Sequence, residues 1–344
     1  MHALVIHAPL DLRVEDVPTP EPAENQLLVR VSAGGICGSD LHYFNHGGFG
    51  TVRIREPMVL GHEVSGVVTR GGSGASEGLV GSRIAISPSR PCGLCQYCQQ
   101  GLQNHCRDMR YYGSAMRTPH VQGAFRQEIV IDHSQAYVVA DSLSDAEAAM
   151  AEPLSVALHA VRRAGPMVGK NVLVTGSGPI GALIVAAARR AGAATIVVTD
   201  VNAFPLETAR RVGADIVLNV SETPDALLPY TAEKGSFDVL FEASGNGAAL
   251  RGAFDALRPR GVAVQVGLGG DISLPVNVVV SKEFDLRGAF RFHEEFAMAV
   301  ELLNKGLIDV KPLISGVFHY KDSLQAFQTA GDRTKAMKVL MTFE

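Results

Sequence analysis

The chain has 344 residues and 47% of them are hydrophobic, so it can bury a full core and has the length of two domains. Its formal net charge of −4 gives no electrostatic reason to bind nucleic acid or an anionic membrane surface, and neither partner is expected. The N-terminus lacks the basic region and cleavage site of a signal peptide, and no stretch of about 18 apolar residues is free of charges, which predicts a cytoplasmic protein.

Residues 1–150 are rich in short β-type runs that glycine and proline separate. The runs contain many Val and Ile residues and cover 26–33, 63–69, 82–87 and 125–131. Short apolar runs separated by glycine and proline are typical of a β-rich domain. We therefore predict a first, β-rich domain over residues 1–150.

Four of the five cysteines lie close together in the segment 90–108 of this first domain: Cys92, Cys95, Cys98 and Cys106. Buried cysteines acting as small hydrophobes are a poor explanation, because the neighbouring residues are polar, and disulfides are rare in a reducing compartment. The bacterial ferredoxin-type iron–sulfur run has a shorter last gap followed by proline, and a nucleic-acid-binding zinc ribbon would carry more cations. Four thiolates that close a tetrahedron predict a structural zinc ion without an open position for substrate.

The pattern changes at about residue 151, where strands and helices begin to alternate. Residues 170–200 read as strand, glycine-rich turn, apolar helix and strand. The sequence next predicts helices over 205–212 and 248–257 and strands over 215–220, 237–244 and 261–267. Such alternation indicates a parallel, doubly wound sheet, here predicted for residues 151–287. The tail that follows has two helix-like segments, 294–306 and 323–331.

A glycine-rich turn after the first strand of this sheet predicts a dinucleotide site. Gly176, Gly178 and Gly181 form a G-x-G-x-x-G pattern, which on its own could simply pack a βαβ unit. Pro179 and Ile180 begin the following helix, whose N-terminal amides favour a pyrophosphate. Asp200 ends the second strand, where a carboxylate can bind the adenosine ribose and repels a 2′-phosphate. These residues predict NAD, with NADP as the less favoured cofactor.

Four further residues have the donor groups of a catalytic metal site. Cys37, His62 and Glu63 lie in the first domain. Glu152 lies in an apolar segment at the domain junction, where an ionised group is costly unless it is paired or bound to a metal. Each has an alternative explanation, such as a core cysteine or a surface hydrogen bond, and their spacing does not show that they meet. Thiolate, imidazole and carboxylate are nevertheless the ligands of an open zinc site.

Taken together, the motifs resemble those of the zinc-dependent medium-chain alcohol and polyol dehydrogenases, over essentially the whole chain. The resemblance rests on "GICGSDLHY", "GHEVSGVV", the four-cysteine segment, "AEPLSVALHA", "GSGPIG" and "GAFRF". Within the family, "CGSDLHY" and "EPLSVALHA" are similar to the sorbitol dehydrogenases. The stretches "MVLGHEVSG", "DMRYYGSAMRTPHVQGAF", "LRGAFRFHEEF" and "GDRTKAMKV" are similar to the members that oxidise L-idonate.

This resemblance implies a GroES-like catalytic domain made of residues 1–150 and 288–344, a Rossmann domain over 151–287, and an active site in the cleft between them. It also implies two zinc ions (Zn2+) per chain, one structural and one catalytic. The catalytic ion would lie among Cys37, His62 and Glu63, with Glu152 close enough to coordinate it directly or to hold its water. We also expect a homodimer or homotetramer.

The resemblance further assigns roles to residues around the catalytic metal. It places Ser39 and His42 on the proton path, and Tyr43 and Arg291 beside the substrate, which Ser39 and Glu152 would also contact. It places two segments along the nicotinamide: Val266, Gly267 and Leu268, and Phe290, Arg291 and Phe292. One departure is Pro205, because the sorbitol branch usually has arginine at that place, five residues after Asp200.

The implied reaction is the oxidation of a secondary hydroxyl of a polyol or sugar acid with NAD(P), most specifically of L-idonate to 5-keto-D-gluconate. Two alternatives remain open at this point. One is a sorbitol or xylitol dehydrogenase, and the other is a non-catalytic nucleotide-binding redox sensor on the same fold. The presence of Cys37, His62 and Glu63 argues against the non-catalytic alternative.

Overall fold

The computed structural model describes residues 1–74 and 77–344. Up to residue 149 the chain forms mainly short strands, with a few helices between them. The strands are β1 (His2–Ala8), β2 (Asp11–Asp16), β3 (Gln26–Gly35), β4 (Gly48–Phe49), β5 (Val52–Arg53), β6 (Met58–Val59), β7 (Glu63–Gly71), β8 (Arg83–Ile86), β9 (Ser89–Arg90), β10 (Arg110–Tyr111), β11 (Glu128–Asp132) and β12 (Ala136–Val138). The α-helices are α1 (Gly38–His46), α2 (Gln96–Gln99) and α3 (Asp145–Ala149).

The second half of the chain alternates helices and strands. The helices are α4 (Ala151–Ala164), α5 (Pro179–Arg190), α6 (Ala203–Arg211), α7 (Gly247–Phe254), α8 (Val276–Lys282), α9 (Glu295–Asn304) and α10 (Ser323–Gly331). The strands are β13 (Asn171–Thr175), β14 (Thr195–Asp200), β15 (Ile216–Asn219), β16 (Phe237–Glu242), β17 (Leu257–Gln265), β18 (Asp285–Gly288), β19 (Ile314–His319) and β20 (Lys338–Thr342).

The long strand β3 organises the first sheet. It pairs antiparallel with β7, β11 and β20, while β8 and β12 extend the sheet beyond β7, and β19 extends it beyond β20. Alternate side chains of β3 point to one face because successive residues of a strand point in opposite directions. Leu27, Val29 and Val31 are buried there with Phe125 and Phe343. The C-terminal strands therefore complete a sheet that the N-terminal half begins.

A parallel sheet forms the centre of the second half. Its strand order is β15-β14-β13-β16-β17-β18, and every neighbouring pair is parallel. Both faces are covered: Val172 and Val174 of β13 are buried in one core with α4 and α5, while Leu173 is buried in another with α7. The order reverses between β13 and β16, and the crevice at the carboxyl ends of such strands is where open α/β sheets bind ligands.

The structure bears out most of the predicted elements, with one clear correction. The predicted helix 248–257 ends at Phe254 as α7, and Leu257 already pairs with Phe237 as the first residue of β17. The physical reason is the pairing of Leu257 with Phe237 in the parallel sheet, which takes the end of the apolar run into β17. Helix α6 begins at Ala203, two residues before the predicted start, so that Pro205 lies in its first turn, where proline is tolerated.

The tail after residue 288 contributes to both halves of the molecule. Helix α9 packs against α4, and Phe296 and Leu303 belong to the core that includes β13. Strands β19 and β20 belong to the sheet of β3 instead. The exact domain boundaries at 150/151 and 287/288 thus remain a prediction. Within the described ranges, no helix is long and apolar enough to cross a membrane.

Candidate active site

Three predicted metal ligands come together where β3 ends and β7 begins. Cys37 precedes the first turn of α1, directly after β3, and His62 and Glu63 stand at the start of β7. Pairing of Gly35 with Glu63 across the two strands brings the two segments side by side. The ligand atoms of Cys37, His62 and Glu63 all lie within 4.8 Å of one another.

Asp40 supports this cluster from inside α1. Its side chain is fully buried and accepts hydrogen bonds from the amides of Cys37 at 2.9 Å and Gly61 at 3.2 Å. Its Oδ1 lies 3.9 Å from Nδ1 of His62, a buried nitrogen that has no hydrogen-bond partner among the described residues. A carboxylate beside a ligating histidine typically fixes the orientation of the ring.

Glu63 forms a buried ion pair with a residue from the far end of the chain. Nζ of Lys338 lies 2.7 Å from both carboxylate oxygens of Glu63 and donates a further bond to the carbonyl of Ile36 at 3.1 Å. Both side chains are almost inaccessible to solvent, at 3% and 1% exposure. The pair joins β20 to β7 directly behind the cluster.

The cluster fits a zinc ion by its donor chemistry. A thiol, an imidazole and a carboxylate are zinc ligand types, and three protein ligands are the usual number of a catalytic site. Burial opposes a charge on His62, but its neighbours Asp40 and Cys37 raise its pKa to about 10. Asp40 lies on the Nδ1 side of His62, at 3.9 Å, which is the side where a carboxylate–histidine–metal triad has its carboxylate.

Glu152 faces the cluster from the first turn of α4. It lies outside the set of donors within 4.8 Å that the described residues form, but its charge acts on His62. Burial raises the pKa of Glu152 to about 7, and its Oε1 accepts a hydrogen bond from the hydroxyl of Tyr111. Glu152 therefore comes close to the cluster from the second half of the chain.

Arg291 lies over the ring of Tyr111. Its guanidinium carbon is 4.2 Å from the Tyr111 ring centre and 5.1 Å from that of Phe290. Within the part of the chain that the structure describes, no acidic side chain forms an ion pair with Arg291, and its Nη2 donates to Sδ of Met116 at 3.1 Å. By contrast, Arg117 is ion-paired with Asp108. Arg291 is thus a half-buried cation that no carboxylate of the described residues contacts directly, while the charge of Glu152 acts on it from nearby.

The predicted proton-path and substrate residues occupy α1. Ser39 is half-buried and His42 is exposed, and their role as a proton path stays a prediction. Tyr43 points inward: it is 1% exposed and its hydroxyl accepts the amide of Ala115 at 3.0 Å. Tyr43 therefore belongs to the core of the first sheet, and its contact with substrate stays a prediction.

The four cysteines form one compact lobe. Their sulfur atoms lie within 4.8 Å of one another, and all five cysteines of the chain are free of disulfides. Sγ of Cys95 and Sγ of Cys98 are 3.6 Å apart, close to the sulfur–sulfur edge of about 3.8 Å expected for a tetrahedron with metal–sulfur bonds of about 2.3 Å. The amides of Arg107 and Cys98 lower the pKa of Cys95 to about 6, which favours the thiolate that binds metal.

The glycine-rich turn has the shape that a dinucleotide needs. Gly176 has φ +87°, and a Cβ there would lie 2.6 Å from the amide nitrogen of Ser244. A Cβ on Gly181 would lie 1.9 Å from the carbonyl oxygen of Gly176, so α5 can approach β13 this closely only with glycine. Gly178 precedes α5 and faces open space, where a pyrophosphate would meet the helix N-terminus.

Asp200 lies beside this turn, and the two predicted nicotinamide segments follow β17 and β18 of the same sheet. The carboxylate of Asp200 accepts the amides of Ser177 at 2.7 Å and Asn202 at 2.9 Å, which fixes it beside the turn. The segment of Val266, Gly267 and Leu268 follows β17, and Leu268 is 76% exposed. The ring of Phe292 is buried against Tyr111 and Phe296, so solvent reaches the second segment at Phe290 and Arg291.

Three residues of the site are not predicted from the sequence: Asp40, Tyr111 and Lys338. Asp40 stands in the quoted stretch "CGSDLHY", and its place three residues after Cys37 is a helix-capping signal that could have identified it. Tyr111 and Lys338 carry no local signal, because their partners Glu152 and Glu63 lie 41 and 275 residues away.

Comparisons with known proteins agree with this geometry. Residues 23–141 match the family model "Alcohol dehydrogenase GroES-like domain", and residues 179–305 match "Zinc-binding dehydrogenase". The chain is 44% identical to L-idonate 5-dehydrogenase (NAD(P)(+)) of Escherichia coli K12, over 93% of this chain and 92% of that one. It is 35% identical to sorbitol dehydrogenase of Bacillus subtilis 168, over 99% and 97% of the two chains.

Solved structures give the same result. The crystal structure of the Escherichia coli K-12 L-idonate 5-dehydrogenase superposes with a TM-score of 0.95 at 42% identity, covering 99% of this chain and 98% of that one. An E. coli CFT073 alcohol dehydrogenase with NADH has a TM-score of 0.91 at 29% identity, over 100% and 99% of the chains. A Sinorhizobium meliloti zinc-binding dehydrogenase with NADP superposes with a TM-score of 0.89 at 28% identity, covering 99% of this chain and 98% of that one. The predicted GroES-like and Rossmann fold is confirmed, and the chain belongs to the zinc-binding medium-chain dehydrogenases, as an enzyme of the branch that acts on polyols and sugar acids.

Proposed function

We propose that this enzyme oxidises L-idonate at carbon 5 to 5-keto-D-gluconate, with NAD as the hydride acceptor. The observation that carries the proposal is Arg291, a half-buried cation beside Tyr111 that has no acidic partner among the described residues. A sugar acid brings a carboxylate that sorbitol lacks, and a guanidinium binds a carboxylate through two parallel hydrogen bonds. The name of the E. coli relative agrees with this substrate.

The chain's own residues would divide the catalytic work. Cys37 and His62 would hold the catalytic zinc ion, with Glu63 and Glu152 as the candidate carboxylates. When bound, zinc makes an alcohol hydroxyl more acidic and the nicotinamide accepts the hydride. Ser39 would take the proton at its hydroxyl and pass it to the exposed imidazole of His42, which delivers it to solvent. Arg291 would hold the acid end of the substrate.

Product analysis tests the reaction itself. The purified protein, loaded with zinc, is incubated with L-idonate and NAD, and the sugar product is identified by NMR. We expect a ketone at carbon 5 and one NADH for each molecule of product. A ketone at another carbon, or NADH formation from sorbitol or xylitol but not from L-idonate, would replace this proposal by a polyol dehydrogenase.

Arg291→Ala should lower kcat/KM for L-idonate about tenfold to a hundredfold and change kcat/KM for sorbitol much less. A charge-assisted hydrogen bond is worth about 1.5–3 kcal/mol, which corresponds to this factor. Steady-state rates on both substrates measure the change, and Arg117→Ala is a suitable control because Arg117 is already paired with Asp108. Equal losses on both substrates would remove Arg291 from acid recognition.

Asp200→Ala should weaken NAD binding and reduce the preference for NAD over NADP. The carboxylate would accept hydrogen bonds from the ribose hydroxyls, worth about 1.5–3 kcal/mol for a charged acceptor, and would repel a 2′-phosphate. KM values for both cofactors measure this, and we expect KM for NAD to rise about tenfold or more. A wild-type enzyme that strongly prefers NADP would contradict this role for Asp200.

We also propose that the four-cysteine lobe holds a second, structural zinc ion. Cys95→Ser should then remove one of two zinc ions per chain, as counted by elemental analysis, and lower the melting temperature. The lobe should also become sensitive to proteolysis, because thiolate ligation is what closes it. A variant that retains both zinc ions, or full stability without turnover, would argue against a structural ion in the lobe.

Assembly as a homodimer or homotetramer and a cytoplasmic location complete the proposal. Strand β18 ends the parallel sheet, and its Leu286 is 42% exposed. Val276 and Val280 of the preceding helix α8 are 61% and 69% exposed. An apolar sheet edge of this kind suits pairing with a second copy. The free thiols of the lobe suit a reducing compartment.

A further inference from the structure

The four-cysteine lobe contacts the segment that carries Arg291 through one buried side chain. Asn104 lies in the 3-10 turn Gln103–His105, just before Cys106, and is 7% exposed. Its Nδ2 donates a hydrogen bond of 3.0 Å to the carbonyl oxygen of Phe290, 186 residues further along the chain. This contact crosses from the first sheet domain to the segment that follows the parallel sheet.

The hydrogen bond acts on the peptide unit that sets the direction of Arg291. The carbonyl of Phe290 and the amide nitrogen of Arg291 belong to the same rigid peptide plane. Holding this carbonyl in place therefore fixes one side of the N–Cα bond of Arg291, the bond about which its φ angle is measured. That φ is +54°, in the left-handed region that residues with a side chain seldom adopt, so the surroundings must maintain it.

Further contacts clamp the neighbours of Arg291 on both sides. The ring of His105 stacks on the ring of Phe290, with centres 6.0 Å apart and planes inclined by 28°. The ring of Phe292 is buried against Tyr111 and Phe296. With both neighbours fixed, the left-handed backbone of Arg291 places its guanidinium over Tyr111, whose hydroxyl bonds to Glu152.

We propose that Asn104 is a positioning residue that uses the four-cysteine lobe to aim Arg291 into the substrate cleft. This inference rests on the proposed role of Arg291 in binding the acid end of the substrate. It gives the lobe a function in specificity in addition to stability, because a shift of the lobe would move the Phe290 carbonyl and with it the guanidinium. Asn104 touches neither substrate nor reacting atoms, so it acts through Arg291 alone.

A double-mutant cycle on the zinc-loaded enzyme tests the coupling. Asn104→Ala leaves the Phe290 carbonyl without its donor, and we expect KM for L-idonate to rise about tenfold while kcat changes much less. In the Arg291→Ala background the same substitution should change KM by less than about twofold, because the group that it positions is gone. Gln99→Ala is the matched control, since it removes an amide-to-carbonyl bond within the lobe, to Gly93, that does not reach Phe290.

Hydrogen exchange gives a second readout that needs no substrate. In Asn104→Ala the amides of residues 289–293 should exchange faster, while those of residues 93–99 and the zinc content stay as in the wild type. If Asn104→Ala loses zinc, Asn104→Asp takes its place, because it keeps the shape of the side chain without the donor. Unchanged exchange at 289–293, or equal KM effects in both backgrounds, would overturn the inference.

The failure of this inference and that of the proposed substrate can be told apart. The coupling between Asn104 and Arg291 is calculated from the kinetic constant that Arg291→Ala changes. This constant can be the one for L-idonate, for another polyol or for the cofactor. An enzyme that prefers sorbitol would refute the assignment of L-idonate, yet a non-additive cycle would still support Asn104 as the residue that positions Arg291. An additive cycle refutes the positioning role even if L-idonate is the substrate.

Discussion

His62→Ala is expected to remove the catalytic zinc ion and to lower kcat at least about a thousandfold. A metal that polarises the reacting oxygen contributes several kcal/mol to transition-state stabilisation, and about 1.4 kcal/mol corresponds to a factor of ten in rate. Alanine also leaves the buried Asp40 beside an empty space without its imidazole neighbour. Elemental analysis should find one zinc ion per chain, and steady-state assays with NAD measure the rate.

Two further variants show whether the loss of activity is specific to the metal site at His62. His133→Ala changes an exposed histidine far from the cluster and should leave both zinc content and kcat as in the wild type. Cys95→Ser should remove the other zinc ion, so the two variants each retain one ion but differ in activity. A His62→Ala enzyme that keeps two zinc ions and more than a tenth of its kcat would show that the metal lies elsewhere.

Lys338→Met should destabilise the protein by about 3–5 kcal/mol, the usual cost of removing one partner of a buried ion pair. Methionine has nearly the length of lysine, so the change removes the charge and keeps most of the volume. Glu63 would then lose the ammonium group that contacts both of its buried oxygens. The urea midpoint, measured at fixed zinc and cofactor concentrations, reports the loss.

Lys335→Met is the control for this prediction. Lys335 is 78% exposed and pairs with Asp332 at 3.3 Å on the surface, where an ion pair contributes about 0–1 kcal/mol. The double variant Lys338→Met with Glu63→Gln should recover part of the stability, because it removes the uncompensated charge. Equal urea midpoints for Lys338→Met and Lys335→Met would mean that the buried pair of Lys338 with Glu63 does not stabilise the protein more than a surface pair.

Local patterns were sufficient to predict much of the fold. The alternation of strands and helices after residue 151 and the glycine-rich turn at Gly176 predicted the parallel sheet, which the structure confirms. The four cysteines are close in sequence, so their spacing predicted one lobe, and their sulfur atoms do meet. Helix α7 was predicted too long because its apolar residues continue into β17, and only pairing with Phe237 decides where the strand begins.

The cluster of Cys37, His62 and Glu63 could be predicted by resemblance but not by spacing. Cys37 and Glu63 meet because β3 and β7 pair in one register, with Gly35 opposite Glu63, and this register is a property of the whole sheet. Lys338 reaches Ile36 across 302 residues, and no pattern near either residue indicates the contact. Because burying a charge is costly, a buried carboxylate such as Glu63 must have a partner, but the identity of that partner depends on the tertiary fold.

The ratio of kcat/KM for L-idonate to kcat/KM for sorbitol, with NAD at saturation, tests the substrate assignment most directly. If Arg291 binds the carboxylate of the substrate, this ratio should be at least about ten, since a charge-assisted hydrogen bond is worth about 1.5–3 kcal/mol. The same assay with NADP should give lower rates than with NAD. A ratio near one, or faster oxidation of sorbitol, would contradict the account of Arg291 and assign the enzyme to polyols.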